Sequence, residues 1–466
     1  MKTREKYKRL LRGISAFCII GVLTALFAFV WYRNFADNED LLIKVFFRRG
    51  KYALIALYGL ITLLFYKAYG ATQVGSMRPL EAAYTQVLAV LCTNAVMYLQ
   101  LGLIGRWKFL SNIRPILWLT AVDVIAVILL SLLARLLYTK LYPPRDVIII
   151  YGQYDPNRLI KNILCRADKY VLRDALSIDL GLEAIEEKIM DCGGVMLLDL
   201  PSRERNQLLK FCFRHNIRCY TVPKISDIML SSAEEVHLFD TSLRLSRNAG
   251  LSAEQQGLKR LFDIVFSLVF LVAASPFMAI IALAIKLYDR GPVFFTQDRL
   301  TRDGKVFKVY KFRSMKVADP NKEYCMTQVN DSRITPVGHI IRNLHLDELP
   351  QIFNILKGDM SIVGPRPECP GLAEEYRQLI PEFDLRLKVK AGLTGYAQVY
   401  GKYNTTPLDK LKLDLVYIQN YSFLLDLKLI LLTVKVLFQR DSTEGIAQGQ
   451  TNAAPQQQKE EELSHE

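Results

Sequence analysis

Two adjacent carboxylates, Asp347 and Glu348, are the residues of this chain best placed to do chemistry. They stand in the stretch Arg342–Pro367, RNLHLDELPQIFNILKGDMSIVGPRP, just ahead of Pro350. Proline lacks the N–H that a helix interior needs and is tolerated in the first turn. Ile352, Phe353, Ile355 and Leu356 follow at helical spacing, and Gly358 is a natural stop. The spacing therefore predicts both acids at a helix N-terminus, where unpaired N–H groups and the helix dipole favour negative charge, a phosphate included. The run Gly364-Pro365-Arg366-Pro367 is stiff and aims one guanidinium, whose planar fork suits a phosphate or a flat polar ring. Taken alone, an acidic pair before a helix is more often a cap on a solvated face.

What surrounds the pair favours phosphoryl chemistry. A phosphoryl group repels an anionic nucleophile unless cations and a divalent metal neutralise it. Magnesium takes oxygen ligands, usually one or two carboxylates with phosphate and water, so Glu348 is the candidate metal ligand and Mg2+ the expected cofactor. Neighbours on a helix point about 100° apart, which lets the two acids take different jobs. Cations alternate with apolar residues from Arg299 to Arg313. Lys311 and Arg313 share one face of the strand expected there and are the preferred phosphate binders, with Arg333 and Arg342 as further candidates. His345, just ahead of the pair, is expected to be a packed or solvent-facing histidine.

Composition narrows the partners. The net charge is +14, and the basic residues gather beside apolar segments, which favours anionic lipid and phosphate ligands over nucleic acid. Eight cysteines form no C-x-x-C pair and five histidines no H-E-x-x-H, so neither a disulfide framework nor a zinc site is expected.

The elements that must position the site follow in chain order. Residues 1–140 hold four apolar stretches near Ile14–Tyr32, Tyr52–Tyr69, Tyr84–Ile104 and Ile116–Tyr138, each long enough to span a bilayer. Lys2, Arg4, Lys6, Lys8, Arg9 and Arg12 argue for a cytoplasmic N-terminus, although Arg33, Lys44, Arg48, Arg49 and Lys51 in the first loop pull the other way. Asp123 and Arg135 inside the fourth stretch are read as helix packing or snorkelling. Residues 145–250 alternate short β-branched runs (Val147–Ile150, Val195–Leu198, Cys219–Val222) with helical patterns, which implies a parallel sheet. Gly152 stands without the G-x-G-x-x-G fingerprint, so a Rossmann-like shape without dinucleotide chemistry is expected. Leu261–Leu287 is apolar, flanked by Lys259 and Arg260 at one end and Lys286 and Arg290 at the other, and interrupted at Ser275-Pro276. Charge at both ends is awkward for a span. A helix broken at the proline could enter and leave on one face, with a kinked fifth span as the alternative. Residues 441–466, rich in Gln, Glu, Ala and Ser, are expected to be disordered.

Several segments of residues 257–436 carry a resemblance, in one order. They are Lys259-Arg260 with Asp263, Ser275-Pro276, GPVFFTQDR (Gly291–Arg299), KVYKFRSM (Lys308–Met315), DSRIT (Asp331–Thr335), LDELPQ (Leu346–Gln351), GDMSIVGPRP (Gly358–Pro367) and KAGLTGYAQV (Lys390–Val399). Together they resemble the bacterial sugar transferases that are monotopic phosphoglycosyl transferases, and the upstream apolar segments resemble that family's large members. His345 and Ala391 depart from the family pattern, where a small polar residue and a proline are common.

The resemblance implies that Asp347 attacks the β-phosphorus of a nucleotide diphosphate sugar, with uridine as the nucleotide. It implies that Glu348 serves the metal, that Pro365, Arg366 and Pro367 hold the nucleotide, and that polyprenyl phosphate in the membrane is the acceptor. Lys259, Arg260, Ser275 and Pro276 would mark a re-entrant membrane hairpin. The expected fold is an α+β membrane protein. It has a four-helix transmembrane bundle (1–140), a Rossmann-like α/β domain of regulatory or assembly role (145–250), and a compact α/β catalytic domain (257–440) with a re-entrant helix over 261–287. The implied setting is a bacterial inner membrane with the catalytic domain facing the cytoplasm, in a homodimer, at the first step of polysaccharide assembly. A membrane-anchored nucleotide sensor centred on Gly152, without turnover, and a transporter are the competing readings. No residue reports which sugar is transferred.

Overall fold

The computed structural model describes residues 7–35, 48–72, 77, 79–104, 113–246, 250–315, 333–401 and 405–437. The expected tail 441–466, the first-loop acids Asp37, Glu39 and Asp40, the cations Lys2, Arg4, Lys6 and Lys44, and Asp331 of the DSRIT segment lie outside the described residues. The chain divides into two compact units, Met1–Val222 and Pro223–Glu466.

In the first unit, α1 (Lys8–Asn34), α2 (Arg48–Ala68), α3 (Pro79–Ile104) and α4 (Arg114–Leu141) contain the four apolar stretches. Neighbours in sequence pack together and α1 closes on α4. Asp123 is fully buried, accepting from the Tyr58 hydroxyl at 3.2 Å and from Asn94 Nδ2 at 3.0 Å. Packing among α2, α3 and α4 thus accounts for this buried acid. A parallel sheet follows, ordered β2-β1-β3-β4, from β1 (Arg145–Tyr151), β2 (Tyr170–Ser177), β3 (Gly194–Leu198) and β4 (Arg218–Thr221). Between the strands run α5 (Asn157–Leu164), α6 (Leu182–Met190) and α7 (Ser202–Arg214). β1 and β3 are buried along most of their length because both faces of a parallel sheet are covered. A Cβ on Gly152 would fall 2.3 Å from the Asp199 carbonyl oxygen. Close approach of the chain beyond β3 therefore explains this glycine without any bound phosphate.

The second compact unit begins at Pro223 and so takes in the last part of the 145–250 stretch. The helix α8 (Ile225–Ser231) packs on α14 (Pro407–Gln419), Ser232 donates to Gln419 at 2.7 Å, and Ile228 enters the core of the second unit. An exposed hairpin, β5 (Glu234–Leu238) with β6 (Thr241–Leu245), follows. Next come α9 (Ala253–Asp289), β7 (Phe294–Leu300), β8 (Val306–Phe312), α10 (Pro336–Asn343), a 3-10 turn (Leu346–Glu348) and α11 (Gln351–Lys357). The unit closes with β9 (Ser361–Val363), α12 (Pro370–Leu379), β10 (Gly392–Thr394), α13 (Tyr396–Tyr400), α14 and α15 (Phe423–Leu437). β7 and β8 form an antiparallel hairpin, and β9 and β10 a short parallel pair. Met360, Leu411 and Leu429, all fully buried, centre the core.

Among the described residues five helices, α1 to α4 and α9, are long and apolar enough to cross a membrane. In α9 both halves pack on the same unit. Phe262 and Phe266 join the main core, while Ala274, Met278, Ile281 and Ile285 pack with Phe312 and Ile341. Its other side leaves Leu261, Val269, Val272, Ile280 and Leu283 exposed. The break expected at Ser275-Pro276 is not a break in the helix, which runs through Pro276. Pro276 cannot donate to the Val272 carbonyl one turn back, and the Ser275 hydroxyl donates to that same oxygen at 2.9 Å. In a lipid setting that bond has no water to replace it. Ser275→Ala is expected to cost about 1 kcal/mol, and to cost nothing in a Pro276→Ala background, where the ladder bond returns. Melting of the full chain in lipid nanodiscs reads this, and equal costs in both backgrounds would exclude the repair.

Candidate active site

The acidic pair sits one turn earlier than expected, in the 3-10 turn Leu346–Glu348 that feeds α11 through Pro350. The chain enters that turn through His345 at φ 54°, a left-handed conformation uncommon for a side chain with a Cβ. Leu346 and Leu349 flank the acids and pack into the apolar cluster built by the second half of α9 with Phe312 and Ile341. The turn is thus anchored directly on the long apolar helix.

Three elements converge on Glu348. Lys311 of β8 donates to Glu348 Oε1 at 2.8 Å, and Arg366, beyond β9, donates to the same oxygen at 2.8 Å. Glu348 is largely buried, its side chain 14% exposed. Burial works against ionisation, but the charges of Arg366 and Lys311 and their hydrogen bonds outweigh it and hold the Glu348 carboxyl well below the usual carboxylate range. Asp347 is in the opposite condition. Its carboxylate is half-buried and makes no hydrogen bond or ion pair among the described residues. Burial pushes its carboxyl up; Lys311 opposes this, the Glu348 charge adds to it, and Arg342 and His345 oppose it. One acid is therefore tied down and its neighbour is left available, within the field of three candidate cations.

Supports outside the motif hold these elements in register. Asn354 of α11 is fully buried, accepts from the Tyr310 N–H at 3.0 Å and donates to the Lys308 carbonyl at 2.8 Å. It pins β8, and with it Lys311, against the helix that follows Glu348. Asn354→Leu removes both bonds and leaves two backbone groups unpaired, so a loss of about 2–3 kcal/mol is expected. Denaturation of the full chain measures it, and a loss under half that would show that water satisfies the strand. Arg260 caps the other end of α11, donating to the carbonyls of Ile355 and Leu356 at 2.6 and 2.7 Å. Lys259 is buried against Asp426 at 2.6 Å. Behind Arg366, Arg386 donates to the Arg366 carbonyl at 2.9 Å and is itself buried against Asp414 and Glu368.

Of the residues singled out in sequence, Asp347, Glu348, Lys311, Arg342 and Arg366 are brought together. Arg313 lies just beyond β8 and donates through Nε to the Pro292 carbonyl at 2.7 Å, fastening the approach to the β7–β8 hairpin. Arg333 stands in a turn next to the bridge between Ile334 and Met315. Pro365 accepts from the Gly392 N–H at 2.9 Å, and Pro367 accepts from Arg299 at 3.0 Å, so both prolines fix the loop that carries Arg366. Asn354 and Arg386 were not singled out, since neither belongs to a charged or glycine-rich pattern. Among the described residues, no group of three or more His, Cys, Asp or Glu is placed to hold a metal ion.

Residues 254–440 match the family described as Bacterial sugar transferase. The exopolysaccharide production protein PSS of Rhizobium leguminosarum bv. phaseoli is 41% identical over 187 residues, covering 38% of this chain and 93% of that protein. This chain belongs to the bacterial sugar transferase family. A UDP-glucose:undecaprenyl-phosphate glucose-1-phosphate transferase of Escherichia coli (strain K12) is 46% identical over 204 residues, 43% of this chain and 42% of that protein. A UDP-N-acetylgalactosamine-undecaprenyl-phosphate N-acetylgalactosaminephosphotransferase of Aeromonas hydrophila is 35% identical over 237 residues, 50% of this chain and 55% of that protein. Against these two longer relatives the match spans about half of the protein or less. The sugar transferase segment contains the whole Lys311–Glu348–Arg366 cluster and Asp347.

Proposed function

We propose that this protein transfers a sugar 1-phosphate from a uridine diphosphate sugar to a polyprenyl phosphate, through a covalent intermediate on Asp347. One observation carries the reading: Glu348 is ion-paired on one oxygen by Lys311 and Arg366, while the adjacent Asp347 carboxylate makes no hydrogen bond or ion pair among the described residues. The names of the longer relatives, with UDP-glucose or UDP-N-acetylgalactosamine as donor and undecaprenyl phosphate as acceptor, support it.

Asp347 Oδ forms a bond to the β-phosphorus, and the bond from that phosphorus to the bridging oxygen breaks, releasing uridine monophosphate. The phosphate of the polyprenyl acceptor then attacks the same phosphorus, the acyl-phosphate bond breaks and Asp347 is regenerated. Lys311 and Arg366 offset the negative charge at the donor, and Arg342 stands near Asp347 to do the same. Glu348 has no hydrogen bond to Oε2 among the described residues, and with Asp347 it offers two carboxylates, a donor set that fits magnesium completed by phosphate and water. A magnesium ion bound there would neutralise diphosphate charge. The pairing of both halves of α9 with one unit, under an exposed apolar face, supports a helix that enters and leaves one leaflet beside the acidic turn. In that reading the site lies at the cytoplasmic face of a bacterial inner membrane, α1 to α4 form a transmembrane bundle, and the protein starts polysaccharide assembly as a homodimer.

The test is a screen of uridine diphosphate sugars with a polyprenyl phosphate and magnesium, following released nucleotide. Release that requires both the metal and the lipid phosphate is expected for at least one sugar. Tight binding of donor with no release from any would count against a transferase.

A further inference from the structure

At the N-terminal end of α9 the second unit holds a cavity of about 290 Å3 that belongs to none of the groups assigned above to sugar transfer. Lys259, Arg260, Arg302, Lys388 and Lys390 line it, with Asp263 the one carboxylate among its lining residues. The Lys259 charge is matched by Asp426. Among the described residues Arg260 bonds to the neutral carbonyls of Ile355 and Leu356 and has no direct ion pair, although it lies within the field of Asp263. Arg302 donates to the neutral Gln256 amide at 2.8 Å, and its ion pair among the described residues is with an exposed Asp303. Asp263 has one oxygen committed to the Ser361 hydroxyl and the Ile362 N–H, both at 3.0 Å. The Lys390 ammonium is half-buried and makes no ion pair or hydrogen bond among the described residues. Burial lowers its proton affinity, and the Arg260 and Arg302 charges lower it further, while the more weakly felt carboxylates of Asp263 and Asp359 oppose this. The cavity thus has five cations against one carboxylate in its lining, and among the described residues the Lys390 ammonium has no hydrogen-bond or ion-pair partner, which an anion would supply.

The position on α9 says which anion. Gln256, Lys259, Arg260 and Asp263 occupy one side of the helix. Leu258, Leu261 and Val265, at i, i+3 and i+7, occupy the opposite side and are 50%, 61% and 53% exposed. The aliphatic stripe begins at the same turns as the cations, so the bilayer boundary falls at the level of the cavity. That is the depth of lipid phosphates, where basic pockets beside apolar helices take headgroups. We propose that this cavity binds the phosphate of an anionic membrane lipid, at a site separate from the Lys311–Glu348–Arg366 cluster.

The test uses the full chain in neutral detergent and titrates short-chain phosphatidylglycerol, with inorganic phosphate as the parallel arm, reading the melting temperature. The lipid is expected to raise it saturably, and inorganic phosphate at equal concentration much less. Lys390→Gln together with Arg302→Gln is expected to weaken the lipid titration by about tenfold or more. Lys390→Gln alone breaks no contact among the described residues, and a several-fold weakening is expected from it. Superimposable titrations for wild type and both variants would overturn the site, and inorganic phosphate as effective as the lipid would overturn the lipid assignment. No sugar nucleotide is present, so the result does not depend on the transferase reading.

Discussion

Asp347→Asn is expected to lower turnover by at least about a thousandfold, the scale on which losing a nucleophile removes a covalent route. The substitution keeps the shape of the side chain, so Leu346 and Leu349 remain seated against α9 and the turn is not expected to unfold. An amide oxygen is a far poorer nucleophile than a carboxylate. Glu348 cannot stand in, because its carboxylate is held by Lys311 and Arg366 and lies well below the ordinary carboxylate range, which makes it a weak nucleophile. The decisive measurement omits the lipid acceptor and uses a donor labelled in the β-phosphate. Wild type should release up to one equivalent of nucleotide and retain label, whereas Asp347→Asn should do neither. Label retained by the Asn variant would assign the chemistry to another group, and activity within tenfold of wild type would end the covalent proposal.

The acids and cations of this site were legible in sequence because each stands in a short, stiff, charged segment. Their meeting was not, since Lys311, Glu348 and Arg366 come from a strand, a turn and a loop far apart along the chain. The left-handed entry at His345 was also hidden, as nothing in a histidine announces positive φ. Helices α1 to α4 followed from apolar runs long enough to fill them. β2 was missed because Tyr170–Ser177 lies at a sheet edge, is mostly exposed or half-buried apart from Leu176, and carries Arg173 and Asp174, so no apolar run marks it. That Ile228 joins the core of the second unit was not legible, because it lies in a short helix of mixed character and its burial depends on α14, nearly two hundred residues on. In α9, Ser275-Pro276 reads as an interruption by composition, whereas the hydroxyl bond to Val272 and the packing of both halves on one unit go with a helix that continues.

The same dependence on distant partners makes Arg386 the position where the largest loss of stability is expected. Its side chain is 2% exposed, with Asp414 at 2.8 Å and Glu368 at 3.3 Å, themselves 1% and 8% exposed. Arg386→Met fills similar volume but removes the direct ion pair of the fully buried Asp414 and leaves Glu368 its direct pair with Lys410. Breaking a buried pair in this way costs about 3–5 kcal/mol, because the remaining charge stays desolvated. If charge stranding is the cause, Asp414→Leu in the Arg386→Met background should recover most of the loss, since an apolar pair can replace a buried ion pair at little cost. A purely steric role for Arg386 predicts no recovery. Arg386 also donates to the Arg366 carbonyl, so the rescued double variant, though stable, should lose the fixed placement of Arg366 against Glu348. A fall in turnover at full stability is therefore expected, read as donor KM rising with kcat falling. Wild-type kinetics in the rescued protein would separate the buried ion cluster from the site and confine Arg386 to folding.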